Sequence, residues 1–185
     1  MQRLILVLHG RTDWNKMNRI QGSVDVPLSE EGKTDAERIA SDLAKIRIDA
    51  IYSSPLSRSY ETAKAIAKNH NLKPKKIAEL NEVNQGVWQG LCIGDIKKRY
   101  KKQYNLWKSS PILAKPPQGE SMKEAYDRVV NTVHKILEKH SGSTVCIVSH
   151  EIVISLIKCH FKNENLEDIW NIVPKTGSWE LIERL

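Results

Sequence analysis

Short apolar runs alternate with segments of helical periodicity along nearly the whole chain, and this alternation limits the fold more than any other feature. Residues 3–8 form an apolar run that stops at His9-Gly10. Ser29 precedes Glu30 and Glu31, the pattern of a helix N-cap with acid in the first turn. Ala36, Ile39, Ala40, Leu43 and Ala44 follow at helical spacing. A second strand is predicted over 49–53, ended by Ser54-Pro55, and the helix after it carries Tyr60, Ala63, Ile66 and Ala67 as its apolar stripe. Residues 79–90, with Gly86 and Gly90, read as loop, 93–107 as a very basic helix, and 109–119, with three prolines, as loop again. Ser121 opens a helix with Met122, Ala125, Tyr126, Val129, Val133, Ile136 and Leu137 on one face. A third strand over 143–149, a buried helix over 152–159 and a final strand over 178–182 complete the pattern.

Strands alternating with helices imply an α/β domain, a three-layer sandwich whose mostly parallel central sheet is flanked by helices. With 185 residues, no repeats and no long linker, the chain is expected to form one domain, 1–185, with a cap or insertion at about 82–118. The longest apolar stretches are too short to span a bilayer. The run after Met1 lacks a small-residue cleavage pattern and reads as a core strand, not a signal peptide. Cys92, Cys146 and Cys159 are odd in number and lack ligand spacing, so reduced thiols in a cytoplasmic protein are expected. The net charge is +7, densest at Lys97, Lys98, Arg99, Lys101 and Lys102. That cluster has no nucleic-acid motif around it and reads as a solvated helix face that steers anions; neither nucleic acid nor membrane is expected as a partner.

In open α/β sheets, ligands bind beyond the carboxyl ends of the strands. Three predicted strands end on residues suited to phosphate: His9-Gly10-Arg11-Thr12, Ser53-Ser54-Pro55-Leu56-Ser57-Arg58, and Ser149-His150. A phosphate monoester carries about two negative charges at neutral pH. Its site needs cationic forks, neutral donors and helix N-termini. Arg58 and His150 each stand near a helix start, and His9 lies in a glycine-containing turn that a ligand can approach closely. Two histidines and an arginine around one phosphoryl group suggest covalent catalysis, with one imidazole attacking phosphorus. The leaving alkoxide then needs a proton. Glu82, in the irregular loop before Gly86-Val87-Trp88, is the candidate acid, with a pKa raised by partial burial. Taken singly, each of these residues has an ordinary structural explanation; it is their coincidence at three strand ends that points to chemistry.

These segments resemble the histidine phosphatase superfamily, the group that includes cofactor-dependent phosphoglycerate mutases. The resemblance rests on residues 6–15 (LVLHGRTDWN), Arg19-Ile20-Gln21-Gly22, Asp25 to Ser29 with Gly32, and residues 52–59 (YSSPLSRS) with Glu61-Thr62-Ala63. It continues through Leu80-Asn81-Glu82, Gly86 to Gly90, Pro117 to Ser121 and Val148-Ser149-His150, in family order over nearly the whole chain. It implies that His9 is the phosphorylated nucleophile, that Arg58 and His150 hold phosphoryl oxygens, that Glu82 donates the proton, and that Asn15, Gln21 and Gly22 line the substrate side. No metal and no cofactor are implied, and a dimer is common among such relatives.

Two departures stand out. The family's arginine before the nucleophilic histidine is Leu8 here, and losing one preorganised donor typically costs about 10² to 10³ in rate, roughly 3 to 4 kcal/mol. Arg11 is expected to reach the same phosphate by another route. Glu151 follows the second histidine where small residues are usual, adding negative charge near the anion pocket. Val83 replaces the arginine that mutases place after the acid, and the segment between acid and second histidine is short. The expected activity is therefore metal-independent hydrolysis of a small phosphorylated metabolite, as in the short branch with α-ribazole and phosphoserine phosphatases. The alternatives are a catalytically weakened or inactive member that binds phosphate or serves as the silent partner subunit of an active relative, and a phosphoglycerate mutase.

Overall fold

A computed structural model of the chain describes residues 2–183. The strands are β1 (Arg3–Leu8), β2 (Ala50–Ser53), β3 (Lys75–Lys76), β4 (Thr144–Ser149) and β5 (Trp179–Glu183). They form one sheet in the order β3-β2-β4-β1-β5. All neighbours are parallel except β5, which runs antiparallel to β1 along the edge. β1 and β4 are apolar without alternation because helices cover both faces of the sheet, as parallel strands require.

The helices are α1 (Asp13–Lys16), α2 (Glu30–Leu43), α3 (Ser57–Lys68), α4 (Ile93–Arg99), α5 (Lys101–Ser109), α6 (Met122–Lys139) and α7 (Glu151–Lys162). α2 and α3 bury Ile39, Leu43 and Ile66 against one face of the sheet. α6 and α7 bury Val129, Val133, Ile154 and Ile157 against the other. The expected three-layer sandwich is therefore present. A third apolar cluster, with Trp88, Ile96, Trp107, Met122, Leu156 and Ile169, fastens the segment 83–114 against the start of α6, one side of α7 and the turn around Ile169.

The expected caps form. Ser29 accepts the Gly32 N–H at the start of α2, and Ser121 with Glu124 makes a reciprocal capping box on α6. The basic helix expected over 93–107 is broken at Tyr100, which closes α4 and opens α5. The break turns Tyr100, Tyr104 and Trp107 toward the indole of Trp88, with ring centroids 6.0 to 6.5 Å away. Four-residue α1, two-residue β3 and the 3-10 turn Leu166–Asn171 are too short for a periodic pattern and were not anticipated.

Register decides what the sheet presents. Leu8 pairs with Ser149 and Ser53 with Val148, so the carboxyl ends of β1, β2 and β4 share one edge. His9 and His150, each the next residue after the Leu8–Ser149 pair, leave the sheet side by side.

Ile147 is fully buried in the strand that is paired on both sides. Ile147→Ala is expected to lower unfolding stability by about 2 to 5 kcal/mol, read from the urea midpoint with an unchanged slope.

Candidate functional site

The turn after β1 is held by backbone contacts that exclude side chains. A Cβ on Gly10 would lie 2.2 Å from the Gly32 carbonyl oxygen, and one on Gly32 would lie 1.9 Å from that of Arg11. The Gly10 N–H donates to the Thr62 hydroxyl at 3.2 Å, and the His9 carbonyl accepts the Gly177 N–H at 3.1 Å. α2, α3 and the loop before β5 thus all fix the backbone that carries His9.

The tautomer of His9 follows from its neighbours. Nδ1 lies 2.7 Å from the Gly10 carbonyl, which can only accept, so Nδ1 carries the proton. Nε2 then keeps its lone pair and faces the Arg58 Nε–H at 3.2 Å. Burial, the Arg58 charge beside it and the opposing Gly10 bond leave the His9 pKa at about 3, so the ring is neutral at physiological pH.

Arg58 is 1% exposed, and its two terminal nitrogens donate to the carbonyls of Val24 at 2.7 Å and Gly22 at 2.8 Å. Burial lowers its pKa to about 10, which leaves the guanidinium charged. The His150 ring packs edge-on to His9 at 5.2 Å between centroids, with Nε2 3.3 Å from the Ser59 hydroxyl. Its Nδ1 is buried without a partner among the described residues, and burial together with the Arg58 charge pushes its pKa well down. The Glu82 carboxylate accepts the Val83 N–H at 2.9 Å and the Ile152 N–H of α7 at 3.2 Å. Burial nonetheless raises its pKa to about 7, which poises it to exchange a proton near neutrality.

His9, Arg58 and Glu82 line one cavity of about 260 Å³, together with Asn15, Gln21 and Gly22, while His150 lies fully buried behind His9. The structure therefore assembles four candidate groups from four separate segments. It does not bring Arg11 to them. Arg11 donates from Nε and Nη2 to the two carboxylate oxygens of Asp35 at 2.7 and 2.9 Å, so its fork is turned onto α2. The expectation that Arg11 replaces the missing clamp is corrected on that ground. Leu8 is itself buried in the sheet core and offers no donor.

Several lining residues were not anticipated as parts of a site, among them Arg19, Gln85, Tyr104, Lys108 and Trp170. Arg19 stood in a motif without a role; its guanidinium lies 5.6 Å over the Trp14 ring. Lys108 follows the basic stretch read as a solvated face, yet it lines the cavity from α5, beyond the break at Tyr100. Glu151, noted as a departure, lines the same cavity.

The family model of the histidine phosphatase superfamily, branch 1, matches residues 4–184. The chain belongs to this family. It is 33% identical to phosphoserine phosphatase 1 of Hydrogenobacter thermophilus over 98% of the chain and 86% of that protein. Among solved structures, a mycobacterial glucosyl-3-phosphoglycerate phosphatase in complex with VO3 superposes with a TM-score of 0.91 at 27% identity, covering 98% of this chain and 92% of that one. The α-ribazole phosphatase of Shigella flexneri superposes with a TM-score of 0.88 at 27% identity, covering 98% and 90%. The sheet and its flanking helices are those of phosphoglycerate mutase-like proteins, and the chain is a phosphatase of the short branch of this superfamily.

Because Gly32 is in backbone contact with the His9 turn, Gly32→Ala is expected to lower stability by about 1 to 3 kcal/mol. It should also weaken thermal protection by inorganic phosphate, measured as the difference in Tm with and without the anion.

Proposed function

We propose that this phosphatase hydrolyses a small phosphorylated metabolite without a metal, through a phosphohistidine formed on Nε2 of His9. The observation that carries the reading is a neutral His9 whose proton is committed to the Gly10 carbonyl, leaving Nε2 unprotonated 3.2 Å from the Arg58 Nε. The nucleophile needs no base to free its lone pair, and the charge that neutralises the phosphoryl oxygens is already in place.

In the first step Nε2 attacks phosphorus and the bond from phosphorus to the ester oxygen breaks. Glu82 gives its proton to the departing oxygen. Arg58 keeps its proton throughout: its Nε–H, which donates to the lone pair in the free protein, donates to a phosphoryl oxygen instead once that lone pair is bonded to phosphorus. In the second step Glu82, now a carboxylate, takes a proton from water as the water oxygen attacks phosphorus. The N–P bond breaks, inorganic phosphate leaves and His9 returns to its neutral form. The relationship to a phosphoserine phosphatase supports an ester of this class. Against transfer between phosphoglycerates, Val83 is fully buried in the third apolar cluster, so no cation extends from that position.

Hydrolysis of p-nitrophenyl phosphate without added metal is expected, and His9→Ala should reduce it by at least about 10³-fold. With Glu82 titrating at about 7, kcat/KM should fall as pH rises through that value, because the acid is lost. Glu82→Gln should abolish that basic limb and lower turnover about 10² to 10⁴-fold for alkyl esters, but less for p-nitrophenyl phosphate, whose leaving group needs no proton.

A second reading, a weakened member that chiefly binds phosphate, is favoured by one observation. Leu8 supplies no donor and Arg11 is paired with Asp35. Leu8→Arg is the test. A rise in kcat, up to about 10²-fold, would mark the natural site as short of one donor, whereas unchanged or lower turnover would remove this reading.

A further inference from the structure

Three charged side chains line the cavity above His9 without a part in the hydrolytic cycle: Arg19, whose guanidinium is committed to the Gly90 carbonyl and the Trp14 ring, and two that are not so tied, Lys108 and Glu151. Lys108 stands in the last turn of α5, and its ammonium lies 4.0 Å over the Trp170 ring. That indole is held in turn by its own N–H, which donates to the Trp107 carbonyl at 2.9 Å. The lysine head is therefore placed by a cation–π contact on a fixed ring rather than left to swing. Glu151 opens α7 directly after His150, so its backbone is tied to the strand end that positions the histidines. Both line the cavity, and each keeps part of its surface open to solvent while the rest is covered.

These opposite charges are not each other's partner. Among the described residues neither takes part in any ion pair within 4.0 Å. They are still close enough to feel one another. Burial pushes the Glu151 carboxyl up and Lys108 opposes it; burial pushes the Lys108 ammonium down and Glu151 opposes that. A cation and an anion that face one cavity but stop short of contact leave a gap that a dipolar ligand can bridge.

We propose that Lys108 and Glu151 form a split-charge subsite that selects phosphomonoesters whose leaving group carries both an ammonium and a carboxylate. The inference rests on the phosphatase reading, which places the phosphoryl group at His9 and hence the leaving group toward the mouth. Lys108 takes the carboxylate and Glu151 the ammonium. Glu151 thereby has a use beside an anion site: it disfavours leaving groups that are only anionic. Charge-assisted hydrogen bonds of this kind contribute more than neutral ones, so each is readable as a rate or affinity ratio.

Four alkyl esters of similar size separate the two charges: O-phosphoserine carries both, phosphoethanolamine the ammonium alone, 3-phosphoglycerate the carboxylate alone, and glycerol 3-phosphate neither. The wild type is expected to show its highest kcat/KM for O-phosphoserine. Glu151→Gln should lower kcat/KM about tenfold for the two ammonium esters relative to the other two. Lys108→Met should do the same, by about tenfold, for the two carboxylate esters, and Lys108→Arg, which keeps the cation, should retain their preference. Calorimetric Kd values for the same four esters, measured on His9→Ala protein with and without each change, report the selectivity independently of turnover. If the wild type proved inactive while those Kd ratios moved as stated, the phosphatase reading would fail and the subsite would stand. Equal changes for all four esters, or ratios unmoved by either substitution, would overturn the subsite.

Discussion

The site depends on how Arg58 is held. Its terminal nitrogens are occupied by the carbonyls of Gly22 and Val24, which leaves Nε as the donor aimed at His9. The same two bonds tie down the loop that carries Gln21 and Gly22, so one guanidinium sets both the phosphate-facing charge and part of the cavity wall. A lysine could supply the charge but not this three-way fork, because its ammonium is a point donor on a flexible stem. Burial at 1% exposure makes the arrangement stiff and leaves the charge little screened by water.

Around that cation, desolvation does most of the chemical tuning. It drives His9 to about 3 and Glu82 to about 7, so a neutral nucleophile and a proton-bearing acid coexist in one cavity near neutral pH. Opposite displacements of neighbouring titratable groups are how one pocket runs nucleophilic and acid chemistry together. The opposing hydrogen bonds, from His9 Nδ1–H to the Gly10 carbonyl and from the Val83 and Ile152 N–H groups to Glu82, moderate these shifts and orient the groups.

Position 8 shows where sequence comparison and packing part ways. Leu8 faces the sheet core and lines the cavity edge without offering a donor. The nearest arginine in sequence, Arg11, is engaged by a partner on α2. Asp35, on the buried side of α2, offers Arg11 a bidentate carboxylate, and this charge-assisted fork turns the guanidinium onto that helix.

Much of the architecture was legible beforehand. Unalternated runs such as residues 3–8 and 143–149 can be satisfied only by burial on both faces, and Ser29 and Ser121 mark helix starts through capping chemistry that is local in sequence. His9, Arg58, Glu82 and His150 were legible as candidates because strand ends on one edge of a parallel sheet are where ligands bind. What the sequence could not decide was direction and pairing over long separations. Arg11 turns to Asp35, 24 residues away, and Arg58 to Gly22, 36 residues away. The helix expected over 93–107 is broken at Tyr100, whose ring packs on Trp88, and Lys108 beyond the break lines one cavity with Glu151. Periodicity and capping are set by neighbours within a few residues, so the chain itself specifies them; which charge meets which, and which face a side chain turns to, follows only from tertiary packing.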